Sequence, residues 1–260
     1  MLAYPPGIDV SGSALRFLAQ ELRRHRRLIG SRWRPSAGRQ ALLTLAHLRV
    51  GHTYAQLAAG FGIGTTTAYR YVTEAVDLLA TLAPTLSDAV RTASAKAYLL
   101  LDGTPLPIDR IVADRPSYPG KHKKHGMNVQ VITGPSGWLL WASPALLGAV
   151  HDVRAAREHD ITDPLAEAGV TCWADKGYRG ASGTARTPYW GRWETLSAGQ
   201  QAVNQAHAKI RAPVEQAIAT LKSWRLLRKI RCSTTRIACL VQAVLHHAPD
   251  QLRPMMEKPH

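Results

Sequence analysis

The stretch Ala97–Gly103 reads AYLLLDG. A short unbroken apolar run of this kind is the pattern of a strand covered on both faces, and here it ends in Asp102-Gly103. Further along, Val170–Ala174 (VTCWA) repeats the pattern and again runs into an aspartate, Asp175, followed by Lys176-Gly177-Tyr178. Between them Met127–Thr133 (MNVQVIT) alternates in polarity. Trp138–Ala142 follows after Gly134-Pro135-Ser136-Gly137, which together make a hairpin signature. Leu106–Val112 is a candidate neighbour of the first strand. Val153–Ala168 reads as a helix ending at Gly169. Residues 180–200, rich in Gly, Ser, Thr and Trp, read as loop. Ala202–Ile230 reads as a long helical stretch with Pro213 as a candidate break. Strands first, then helix, strand and helix predict a mixed α/β domain over residues 96–260.

Upstream the pattern is helical, and residues 1–95 are expected to form a separate all-α module. Ser13–Leu28 carries Leu15, Leu18 and Leu22 at helical spacing, and Arg39–Arg49 is an apolar segment bounded by Gly38 and Gly51. Two short helices and a longer one follow, ending near Leu82 before Pro84. Within them Tyr54–Val72 (YAQLAAGFGIGTTTAYRYV) has the small and apolar positions of a helix-turn-helix. Ala58 is small where a second helix would cross, and Gly62 stands at the turn. Thr53 and Gln56 fit a capping box, and Thr65 is placed to cap the second helix. Thr66, Thr67 and Arg70 are then expected to face outward, towards bases or phosphates. An ordinary helical hairpin is the plainer alternative. The surrounding charge argues against it.

That charge is +15, from 33 Lys and Arg against 18 Asp and Glu in 260 residues. No acid occurs between Glu21 and Glu74, where nine arginines lie, and none between Gln216 and Pro249. A polyanionic partner is expected, nucleic acid before a merely solvated basic surface or an anionic-membrane contact. No apolar run approaches the roughly 20 residues that span a bilayer, and no secretory leader is evident, so a cytoplasmic protein is expected. Cys172, Cys232 and Cys239 have no metal-ligand spacing and are expected to be reduced thiols.

With so few acids, those at strand ends stand out. Asp102 and Asp175 each have a glycine within two residues, which lets a phosphate backbone approach closely. Either alone reads equally well as a turn former. A third acid, Glu215, shares a helical face with His207 and Arg211, with Lys222 seven residues further on. His151-Asp152 offers an extra acid, read mainly as a helix cap. The basic run Lys121, Lys123, Lys124 is a candidate grip on DNA, with a solvated loop as the plainer alternative.

Taken together these motifs resemble the DDE transposases of bacterial insertion sequences, over nearly the whole chain. The resemblance rests on Arg39–Val72, Asp102-Gly103-Thr104, Lys121–Gly126 leading into Asn128-Val129-Gln130, Gly148–Asp152 and Ala174–Tyr178. It ends with Asn204, His207, Arg211, Glu215, Lys222 and Trp224-Arg225. Arg211, Glu215 and Lys222 match in spacing the family's tyrosine, arginine, glutamate and lysine signature. The tyrosine position falls on Ala208, beside His207. The resemblance implies a ribonuclease H-like fold for the α/β domain, with two Mg²⁺ (or Mn²⁺) ions held by Asp102, Asp175 and Glu215. It implies cleavage and strand transfer at the element's terminal inverted repeats and target DNA, by a homo-oligomer. It gives Arg211 and Lys222 the task of holding the DNA backbone and steadying Glu215. A non-catalytic helix-turn-helix protein or a decayed transposase is the alternative, and a nuclease that cuts without joining is a third reading.

Overall fold

A computed structural model describes residues 8–30, 36–108, 126–181, 183–228, 230 and 234–252. The chain divides into two compact units. One comprises Met1–Ala83 with Leu221–His260, and the other Pro84–Thr220.

The first unit is helical. It holds α1 (Gly12–Leu28), α2 (Ala37–Val50), α3 (Tyr54–Phe61), α4 (Thr65–Thr81) and, from the far end of the chain, α9 (Thr234–Leu252). α9 packs along α4, α1 along α2, and α3 against α4. Leu18, Leu22, Leu43, Leu45, Leu48, Leu57 and Leu79 form its buried interior. Local chemistry sets the helix ends. Thr53 and Gln56 form a reciprocal capping box at the start of α3. Gly62 ends α3 in the left-handed region at φ 59°, while the Ile63 N–H bonds back to the Ala58 carbonyl. Thr65 does not cap α4. Gly64 holds the cap position without a side-chain bond, and Thr65 is the first helical residue.

The second unit is built on a six-stranded sheet. Its strands are β1 (Leu99–Pro107), β2 (Gly126–Thr133), β3 (Leu139–Ala142), β4 (Leu146–Leu147), β5 (Cys172–Ala174) and β6 (Ala185–Arg186). The order is β3-β2-β1-β5-β6, with β4 paired to β2 off this path. β1 pairs antiparallel with β2 and parallel with β5, so the sheet is mixed. Leu106 and Pro107 belong to β1 itself rather than to a neighbouring strand. α5 (Leu86–Ala93), α6 (Asp152–Glu158) and α7 (Thr162–Glu167) cover one face. There Ala89, Ala93, Ala156, Ile161 and Leu165 pack with Leu99, Leu101 and Tyr178. The single helix expected over 153–168 is therefore two. Asp160 takes a positive φ of 49°, and Pro164 has no N–H to donate to a continuous helix. The long α8 (Ala198–Ser223) carries through Pro213 without a break.

The division therefore differs from one at residue 95. α5 packs with the sheet because Ala89 and Ala93 are buried among strand residues, and α9 returns to the N-terminal helices.

Candidate active site

The parallel pairing of β1 and β5 ends with Leu101 opposite Ala174. Asp102 and Asp175 are the next residues on the two strands, so the aspartates stand side by side where the parallel pairing stops. Asp102 does not end its own strand, because β1 continues in antiparallel register with β2 as far as Pro107. Asp175 does. It caps a 3-10 turn, Lys176–Tyr178, and its Oδ1 accepts from the Gly177 N–H at 2.6 Å.

Side chains alternate across a strand, so Leu99, Leu101 and Gly103 share the face under α5–α7, and Leu100 and Asp102 share the other. On Asp102's side, α8 supplies Arg211, whose Nη2 donates to Asp102 Oδ2 at 2.8 Å. Oδ1 accepts from the Gly103 N–H at 3.0 Å. Asp102 is buried, and burial pushes its carboxyl up to about 7 from 3.8. The Arg211 charge opposes this, while Asp175 and Glu215 add to it. All three expected acids thus share one electrostatic neighbourhood. Glu215 is exposed, one residue past buried Val214 on α8. Among the described residues no three acid, histidine or cysteine side chains are gathered closely enough to hold a metal ion.

The remaining sequence candidates separate. His207 is buried, not a solvent-facing cation. Its Nε2 donates to the Arg186 carbonyl at 3.2 Å, and its ring stands edge-on to Trp173, 5.3 Å away. Burial, offset in part by that hydrogen bond and reinforced by the Arg211 charge, lowers its pKa. His207 therefore fastens α8 to the strands as a neutral ring. Arg211 pairs with Asp102 rather than steadying Glu215. Lys222 falls in the other unit, where its carbonyl accepts from Arg228 Nε at 2.6 Å. Thr66 and Arg70 are exposed on α4 and Thr67 is half-buried. Lys121, Lys123 and Lys124 lie outside the described residues.

Asp152 is a group whose place the sequence did not reveal. It stands in the first turn of α6, but His151 is the cap residue and no side chain caps the helix. Asp152 Oδ1 instead accepts from Asn128 Nδ2 at 2.9 Å and Gln130 Nε2 at 3.2 Å. Gln130 Nε2 also donates to Asn128 Oδ1 at 3.0 Å, and the buried Tyr178 hydroxyl donates to Gln130 Oε1. Burial, then Asp152, Asp102 and Asp175, raise the Tyr178 pKa, which keeps that hydroxyl a neutral donor. The alternation in MNVQVIT, which puts Asn128 and Gln130 on one face, was the available signal.

The donor set suits a hard divalent cation. Oxygen ligands are what Mg²⁺ prefers, and a buried carboxyl driven up by burial and by two neighbouring acids is negative charge that a cation would relieve.

The family described as "DDE superfamily endonuclease" matches residues 101–246, and the one described as "Helix-turn-helix of DDE superfamily endonuclease" matches residues 36–85. The protein described as "Putative transposase for insertion sequence element IS112", from Streptomyces albus G, is 29% identical over 215 residues. The alignment covers 78% of this chain and 75% of that protein. No solved structure matches the chain significantly. The first match takes in Asp102, Asp175 and Glu215 and spans more than half of the chain, which therefore belongs to the DDE superfamily endonucleases.

Proposed function

We propose that the chain is an insertion-sequence transposase, which binds the terminal inverted repeats of its element and cleaves and joins DNA strands at Asp102, Asp175 and Glu215. The observation that carries this reading is the register of β1 and β5. It sets Asp102 beside Asp175, with Glu215 close enough to perturb Asp102. The α/β unit is read as ribonuclease H-like. Two divalent cations, Mg²⁺ or Mn²⁺, held by these three carboxylates would activate water or a DNA 3′-hydroxyl and neutralise charge developing on the scissile phosphate.

The protein's own residues supply position and charge. Arg211 fixes the Asp102 carboxylate and keeps positive charge beside a phosphate-binding edge. Exposed Glu215 leaves its carboxylate accessible beside the buried Asp102. Thr66, Thr67 and Arg70 on the second helix of the helix-turn-helix contact end DNA, while Lys222 and the Lys121, Lys123, Lys124 run hold phosphates. Assembly as a homo-oligomer on DNA belongs to the same reading.

The test is cleavage and strand transfer on duplexes carrying the inverted repeats that flank the gene. Wild type should nick and join in Mg²⁺. Asp102→Asn, Asp175→Asn and Glu215→Gln should each bind the duplex and leave it uncut. An Asp175→Asn protein that cuts at the wild-type rate would overturn the assignment. Cutting without joined product would reduce the reading to a nuclease.

A further inference from the structure

The Asp152 carboxylate lies against two glycines that flank the aspartates. A Cβ added to Gly103 would stand 2.0 Å from Asp152 Oδ1. One added to Gly177 would stand 3.0 Å from Asp152 Oδ2 and 2.9 Å from Asp175 Oδ1, so both carboxylates reach one point beside Gly177. Oδ1 is held by the amides of Asn128 and Gln130, on the strand paired with Gly103. Gln130 in turn accepts from Tyr178, at the end of the turn that Asp175 caps. One side chain thus ties together β1 after Asp102, β2, and the turn after Asp175.

Strand alternation settles on which side it works. Gly103, Gln130 and Asn128 present the face covered by α5–α7, and Asp102 presents the opposite face with Arg211. A carboxylate behind the sheet supports the backbone that aims the aspartates.

We infer that Asp152 is a positioning residue for the endonuclease site, clamping the backbone at Gly103 and Gly177 so that Asp102 and Asp175 keep their mutual placement. The inference rests on the assignment of those two aspartates as cation ligands. Because its role is to accept two amide hydrogen bonds through one oxygen, an asparagine can serve and an alanine cannot.

The experiment is Mn²⁺ titration calorimetry of the chelator-treated full chain, together with single-turnover cleavage and gel-shift affinity on the inverted-repeat duplex. Asp152→Ala should weaken Mn²⁺ binding and slow cleavage roughly tenfold each, the usual scale for removing a partner that orients a ligand, with duplex affinity unchanged. Asp152→Asn should recover both to within about threefold of wild type, since one acceptor oxygen remains for the two amides. Asn128→Ala, which leaves every carboxylate in place, should weaken both in the same direction and covers the case in which Asp152→Ala does not fold. Wild-type Mn²⁺ affinity in Asp152→Ala or in Asn128→Ala would overturn the inference. So would an Asp152→Asn protein as impaired as Asp152→Ala, which would make Asp152 a charged ligand instead. Undiminished Mn²⁺ binding by Asp175→Ala would overturn the underlying assignment itself, and that failure is legible separately.

Discussion

Arg211 on α8 donates to the carboxylate of Asp102 on β1 at 2.8 Å, joining residues 109 positions apart in the sequence. Both side chains are mostly shielded, with 16% and 11% exposure. Taking one member from such a pair leaves a poorly solvated charge. Arg211→Ala should lower the unfolding free energy of the metal-free protein at pH 8 by about 2 kcal/mol, below the usual cost because Asp102 can take up a proton. Adding Asp102→Asn to that variant should recover most of the loss. Urea denaturation of the two single variants and the double variant checks this, and an unchanged midpoint for Arg211→Ala would count against the pair.

Asp102 also gives the fold a pH signature. Its carboxyl sits at about 7 when folded, against 3.8 ordinarily, because of burial foremost. Between those values the folded chain holds a proton that the unfolded chain has lost, so stability must fall as pH rises through that window. The metal-free wild type should lose melting temperature relative to Asp102→Asn from about pH 4 to about pH 7 and run parallel to it above. Mn²⁺ should raise the wild-type melting temperature more at pH 8 than at pH 5, where a proton must first leave. Circular-dichroism melts across this range decide it, and parallel curves throughout would rule the shift out.

Recognition should be separable from stability. Arg70 is exposed on α4, and it makes no hydrogen bond or ion pair among the described residues. Arg70→Ala should leave the melting temperature unchanged, weaken binding to the inverted-repeat duplex several-fold, and flatten the salt dependence by about one phosphate contact. Gel shifts between 50 and 200 mM salt, roughly the range in which such contacts show, measure the slope. Equal slopes would remove Arg70 from the interface.

What the sequence revealed was local. Thr53 and Gln56 are three residues apart, and their capping box could be read directly. The two aspartates stood out because each closes an apolar run. Their adjacency followed only from the expectation that both hold the same ions, because the parallel pairing that makes it is three residues long and joins distant segments. The pattern did not reveal the partner of Arg211, which the family resemblance turned towards Glu215, or the burial of His207 against Trp173. Asp152 looked like a cap because its neighbours in sequence allowed one, but amides on β2 claimed it first. The extent of each compact unit was equally hidden, because α9 joins its unit from the far end of the chain.

The placement of α8 yields the last prediction. The turn between β2 and β3 closes with the Gly137 N–H on the Gly134 carbonyl at 3.0 Å, and Gly137 takes a φ of 76°. A Cβ there would stand 2.8 Å from the Pro213 carbonyl oxygen and 3.2 Å from the Pro213 Cβ. Pro213 lies two residues from both Arg211 and Glu215, so the turn meets α8 beside two side chains of the proposed site, and we expect this contact to set the height of the helix over the sheet. Gly137→Ala meets backbone rather than a flexible side chain and must also adopt a left-handed conformation, which costs about 1–2 kcal/mol by itself. The helix must give way, and a displacement on the order of 1 Å can cost about a hundredfold in a positioned site. Cleavage should therefore fall far more than the modest loss of stability suggests, while binding through the helix-turn-helix stays intact. Gly134→Ala, in the same turn with nothing within 4 Å of the new methyl and no positive φ, is the matched control and should cut normally. If Gly137→Ala cleaves as fast as Gly134→Ala, the turn does not set the position of α8, and Arg211 and Glu215 must be placed by the buried face of the helix alone.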